Sequence, residues 1–127
     1  TKNTDNKSVT KIKGFWHALG CKCKTIDPVT HDKLVCQISH IPHILSSILA
    51  SNVEDKALEY KSTGYKDMTR LAKGDPLLWK DIISSNKDNI VKELKKYNKS
   101  IEKFIQVIKK GNEKELVSVL EKARNKG

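Results

Sequence analysis

Between Ile90 and Ile108 the apolar residues fall at alternating intervals of four and three: Ile90, Leu94, Tyr97, Ile101, Phe104 and Ile108. Such a stripe occupies one face of an α-helix, whereas in a strand of period two it would be split between both faces. Lysine, glutamate and asparagine dominate between these positions. A helix of this kind is stable only when its stripe is buried, against another helix of the same chain or against a second copy. Gly111 ends it, and Asn112 caps a last helix carrying Leu116, Val119, Leu120 and Ala123.

The same period recurs upstream. Asp27 and Pro28 suit an N-cap and first helical position. They open a segment in which Leu34, Val35, Ile38, Ile41, Ile44, Leu45, Ile48 and Leu49 repeat at helical spacing. Pro42 lies inside this run and has no N–H for the carbonyl of Ile38. The helix, expected to reach about Ala50, should therefore kink near Pro42. Ser51 to Thr63 reads as a brief helix ending in a loop, and Gly64 as a flexible point before a short helix over Asp67–Ala72. Asp75 and Pro76 read as cap and first turn for Leu77–Ser85. Cys21 and Cys23 alternate with lysines, as in a short strand or extended segment, and serve there as small apolar residues. The fold class is all-α.

A chain of 127 residues is most simply one domain. Its formal charge of +10 is carried by lysines mixed with glutamates, and the two arginines lie far apart. That pattern describes a solvated helical surface, welcoming to a small anion, rather than a nucleic-acid site. Three cysteines, an odd number, fit a reducing compartment better than a secreted disulfide framework. No run approaches the ~18 uninterrupted apolar residues of a membrane span, and Thr1–Lys13 has no apolar signal-peptide core. The expectation is a cytoplasmic chain, with neither nucleic acid nor membrane as partner.

Candidate chemistry gathers in the string Ser39-His40-Ile41-Pro42-His43. Ser39 and His43 stand four apart, and in helical register both project from one face beside Pro42. They form either a pocket wall or a helix face whose histidine is satisfied by a core hydrogen bond. Arg70 offers a planar guanidinium that grips a carboxylate through two parallel bonds, or forms a structural ion pair with Asp67 or Asp75. Trp79 is a pocket wall or a large core residue. Asp32, Cys36, His40 and His43 fall close to one helical face and are competent zinc ligands. Four ligands from one helix cannot surround an ion tetrahedrally, so no metal site is expected.

Taken together, His31-Asp32, the Ser39–His43 string, Gly64-Tyr65-Lys66-Asp67-Met68-Thr69-Arg70 and Asp75-Pro76-Leu77-Leu78-Trp79-Lys80-Asp81 resemble a known family. They are similar to the C-terminal helical dimerisation domain of the prephenate and arogenate (cyclohexadienyl) dehydrogenases, from about Phe15 to Ala123. The resemblance implies NAD- or NADP-dependent oxidative decarboxylation in tyrosine biosynthesis. It implies a homodimer and a small anionic substrate, prephenate or arogenate. By the same resemblance Ser39 and His43 line the substrate pocket, Arg70 binds a substrate carboxylate and Trp79 lies near the pocket. His31, Asp32 and His40 are packing or hydrogen-bonding residues. Lys61-Ser62-Thr63 departs from the family, which is often richer in glycine there.

The sequence contains neither a Gly-x-Gly-x-x-Gly turn nor a match for the family's catalytic histidine, which His17 does not supply. Residues 1–14 are accordingly expected to be a polar segment or linker from a nucleotide-binding domain outside this sequence. Residues 15–127 are expected to be the helical substrate-binding and dimerisation domain. On that reading this part holds no catalytic and no cofactor-binding residue, NAD or NADP is bound mainly by the other domain, and this part alone is inactive. The alternative is a stand-alone helical dimerisation or interaction module without catalysis.

Overall fold

The computed structural model describes residues 4–126, and every regular element among them is helical, as expected. The chain divides into two compact units, one up to His31 and one from Asp32 onward.

In the first unit α1 spans Asn6–Ala18. Asp5 caps it by accepting from the Ser8 amide at 2.9 Å and the Ser8 hydroxyl at 2.7 Å. These bonds hold the Asp5 carboxyl below its ordinary pKa. The helix crosses residue 14, so the polar stretch expected as a linker is helical from Asn6 onward. Phe15 and Trp16 meet edge-on at 5.5 Å and both are exposed. Residues 21–27 carry no regular secondary structure, so the strand considered for Cys21–Ile26 does not form. Cys21 is exposed rather than packed as an apolar residue. Asp27 caps the following helix, its Oδ1 accepting from the Thr30 amide at 3.0 Å.

That helix, α2, spans Pro28–Val35, and a π turn over Cys36–His40 leads directly into α3, Ile41–Ser51. The kink expected near Pro42 takes the form of this π turn. The Ile41 amide bonds to the carbonyl of Cys36, five residues back. Pro42 then falls in the first turn of α3, where a missing N–H is tolerated. The wide turn inserts an extra residue and resets the face. Cys36, His40, Ile41, His43 and Ser46 are buried, while Ser39 is exposed. Ser39 and His43 therefore do not share a face. By length and composition alone the helix over Pro28–Ser51, 24 residues long, could cross a membrane, an 18-residue window within it reaching a mean hydropathy of 1.3. Here the inward side of that stretch packs on other helices of the second unit.

Next come α4 (Asp55–Leu58), α5 (Thr63–Thr69), a 3-10 turn (Arg70–Lys73), α6 (Pro76–Ser85), α7 (Lys87–Lys110) and α8 (Glu113–Arg124). Ser62 caps α5 through the Tyr65 amide at 3.4 Å, which places Gly64 inside the helix rather than before it. The Thr69 hydroxyl bonds back to the Tyr65 carbonyl at 2.8 Å as α5 ends. Arg70 thus sits on the 3-10 turn, not on the helix expected through Ala72. Asp75 caps α6 through the Leu77 amide at 2.9 Å.

The stripe on α7 splits in two. Ile90 is buried with Cys36 and Ile41, and Leu94, Ile44, Leu45 and Ile83 pack around them. Ile41, fully covered, and Ile90, buried, each contribute about 1.5–3 kcal/mol of burial. Farther along, Tyr97, Ile101 and Ile108 are exposed and Val107 is buried instead. Gly111, at φ 62°, ends α7 in the left-handed conformation that costs glycine least. Asn112 caps α8 through the Glu115 amide at 3.2 Å.

Candidate functional site

The inward face of α3 and the start of α6 build the site. His43, 7% exposed, stacks on the Trp79 indole with ring centroids 3.5 Å apart and planes 7° from parallel. His40 meets the same indole edge-on at 6.3 Å and 87°. Burial pushes the His43 imidazole below its ordinary pKa of 6.5, which favours the neutral ring. Gly74 closes against the stack. A Cβ there would stand 2.5 Å from Trp79 Nε1 and 2.9 Å from His43 Cε1, so only glycine fits.

Two buried polar side chains tie this arrangement to the rest of the unit. Ser46, 3% exposed and one turn beyond His43, accepts a hydrogen bond from the Ala72 amide at 3.0 Å. Asn86, between α6 and α7, donates through Nδ2 to the Asp32 carbonyl at 2.8 Å and lies 3.3 Å from His40 Nδ1. Its Oδ1 accepts from Asn89 Nδ2 at 2.8 Å. Sequence reasoning missed Ser46, Gly74 and Asn86. A serine on the apolar face of a helix was the one signal available for the first. Asn86 has its partner 54 residues away and gave no local signal.

A cleft of about 430 Å³ opens beside the stack, lined among others by His43, Ser47, Ala72, Gly74, Trp79 and Lys80. Of the four residues expected at a site, His43 and Trp79 meet in it. Ser39 and Arg70 are not among its lining residues; both are exposed, on the π turn and the 3-10 turn. Arg70 has no ion-pair partner among the described residues, so neither Asp67 nor Asp75 engages it. Its turn nevertheless joins the cleft, because Ala72, two residues on, is both a lining residue and the partner of Ser46. Among the described residues no group of three or more His, Cys, Asp or Glu side chains is placed to hold a metal ion.

All of these residues lie within 27–122, the stretch that matches the family described as prephenate dehydrogenase, dimerization domain. The chain belongs to that family. Among curated relatives, the domain is 28% identical over 107 residues to the prephenate dehydrogenase of Bacillus subtilis, covering 80% of this chain and 29% of that protein. It is 26% identical over 113 residues to the cyclohexadienyl dehydrogenase of Zymomonas mobilis, covering 78% of this chain and 39% of the relative. Among solved structures, the prephenate dehydrogenase of A. aeolicus in complex with hydroxyphenyl propionate and NAD+ is similar at a TM-score of 0.86 and 32% identity. That similarity covers 99% of this chain and 46% of the other. The arogenate dehydrogenase of Synechocystis gives a TM-score of 0.84 at 25% identity, covering 99% of this chain and 48% of the other. The dimerization domain thus spans less than half the length of each of these relatives. The resemblance read from the sequence strings and the all-α fold expected with it are both found.

Proposed function

We propose that this domain serves a cytoplasmic prephenate or arogenate dehydrogenase of tyrosine biosynthesis, dependent on NAD or NADP. In it the domain pairs with a second copy and supplies part of the substrate site. The observation that carries the substrate role is Arg70: exposed, without an ion-pair partner among the described residues, on a turn bonded to the helix that bears His43. A guanidinium in that state is available for bidentate binding of a substrate carboxylate. The neutral His43 ring and the Trp79 indole give the adjoining cleft an aromatic wall with one imidazole able to hydrogen-bond. Ser39, on the solvent side of the π turn, is available to a site wall built from outside this chain.

The residues here do not fit a dinucleotide. Its usual cradle is a glycine-rich turn between a strand and a helix. The sequence has no such glycine pattern, and the described residues form no strand. Oxidation and decarboxylation are therefore assigned to no residue of this chain. Its contribution is to bind and orient the substrate, an electrostatic and entropic effect. Pairing of two copies is supported by Tyr97, Ile101, Ile105 and Ile108 on α7 with Val117 and Leu120 on α8, all exposed and all apolar or aromatic.

Kinetics of the dehydrogenase carrying this domain test the assignment. Arg70→Ala should raise the KM for prephenate or arogenate about tenfold or more, since a charge-assisted pair is worth about 1.5–3 kcal/mol. The KM for the dinucleotide should stay as it was. Arg70→Lys should restore only part of the loss, keeping the charge without the planar fork. An unchanged KM for both substrates would remove Arg70 from the site.

A further inference from the structure

We infer that Ser46 is a positioning residue that sets the placement of Arg70; the inference rests on the reading of Arg70 as the carboxylate-binding group. Three serines lie on α3, and two of them spend their hydroxyls on their own helix. Ser47 donates to the His43 carbonyl at 3.0 Å and Ser51 to the Ile48 carbonyl at 3.1 Å. Ser46 alone reaches another element, accepting from the Ala72 amide at 3.0 Å across 26 residues of sequence. It is 3% exposed on the apolar side of the helix. Alanine is the better helix former, and at such a site a hydroxyl is justified only by the group it meets.

The turn that Ser46 holds is short, four residues from Arg70 to Lys73. A 3-10 turn of that length has weak internal hydrogen bonds and little stiffness of its own. It is held at two points. At Ala72 the amide is fixed by Ser46 Oγ, and at Gly74 the backbone lies against the His43–Trp79 stack. Ser46 and His43 stand one turn apart on α3, so one rigid helix presents the imidazole and anchors the backbone two residues from Arg70. The Ser46 bond thereby fixes the spacing between the guanidinium-bearing backbone and the stacked rings. Without it the guanidinium samples more positions, and the cost falls on substrate binding.

A double-mutant cycle in the dehydrogenase carrying this domain tests the inference. Ser46→Ala should raise the KM for prephenate or arogenate about fivefold, the change that one neutral hydrogen bond carries. The kcat and the dinucleotide KM should not move. Ser46→Cys, which nearly keeps the volume but offers a poorer acceptor, should shift KM in the same direction. In an Arg70→Ala background Ser46→Ala should add nothing, because Ser46 acts through the guanidinium. Hydrogen exchange on the same variants should show faster exchange at the Ala72 amide with protection along α7 retained, which separates a loosened turn from a failure to fold. Two results would overturn the role of Ser46: no change in KM where Arg70→Ala does raise it, or an undiminished effect of Ser46→Ala in the Arg70→Ala background. If Arg70→Ala alone leaves KM unchanged, the reading of Arg70 fails first and the role of Ser46 goes with it.

Discussion

The imidazole of His43 lies flat on the indole of Trp79, 3.5 Å between centroids. It brings together α3, α6 and the end of the turn that carries Arg70. The stack does this because Gly74 presents no side chain to it. A helix, a second helix and a connecting turn are locked by one ring contact and one missing Cβ.

Gly74→Ala should therefore destabilise the domain by about 1–3 kcal/mol, the usual range for atoms forced into a filled site. The added methyl meets rigid rings at 2.5 and 2.9 Å, not the far end of a flexible side chain. Urea unfolding checks the size of the effect. Much of the penalty of Gly74→Ala should disappear in a Trp79→Ala background, where the nearer ring is absent. A Gly74→Ala protein as stable as the parent would show that the turn shifts freely and is not held by the stack.

His43 gives the stability a defined pH dependence. Burial lowers its pKa in the folded state below the ordinary 6.5, so the unfolded chain binds the proton more readily. The contribution is complete above about pH 6.5 and is lost progressively as the pH falls below that value. His43→Phe retains a flat ring beside Trp79 but no longer titrates. Thermal unfolding between pH 8 and pH 5 should show a shallower acid-side decline of Tm in this variant than in the parent. Identical slopes would mean that His43 is not buried in its neutral form.

The sequence made the helices legible where local chemistry decides them. Asp27, Asp75 and Asn112 cap as their side chains require, and Gly111 ends α7 as a left-handed residue. The stripe from Ile90 to Ile108 was visible as a helix, but its division into a buried start and an exposed end depends on which helices lie opposite, which spacing alone does not encode. At the site, His43 and Trp79 were named and do meet. A regular α-helix puts residues four apart on one face, which predicts Ser39 beside His43. The π turn over Cys36–His40 breaks that regularity and gives the inward position to His40. Arg70 is expected from the sequence either to grip a carboxylate or to pair with Asp67 or Asp75. It is exposed with no ion-pair partner among the described residues, and the bond that places its turn joins residues 26 apart. Contacts of that kind follow from tertiary packing and leave no periodic trace.

Sedimentation equilibrium of this chain at micromolar concentration tests most directly the claim that it is a dimerization domain acting through the exposed apolar residues of α7 and α8. Twice the 14.4 kDa chain mass is expected, with a shift towards the single-chain mass when Ile101 and Ile108 are replaced by glutamate. A species of 14.4 kDa for the unmodified chain would contradict it.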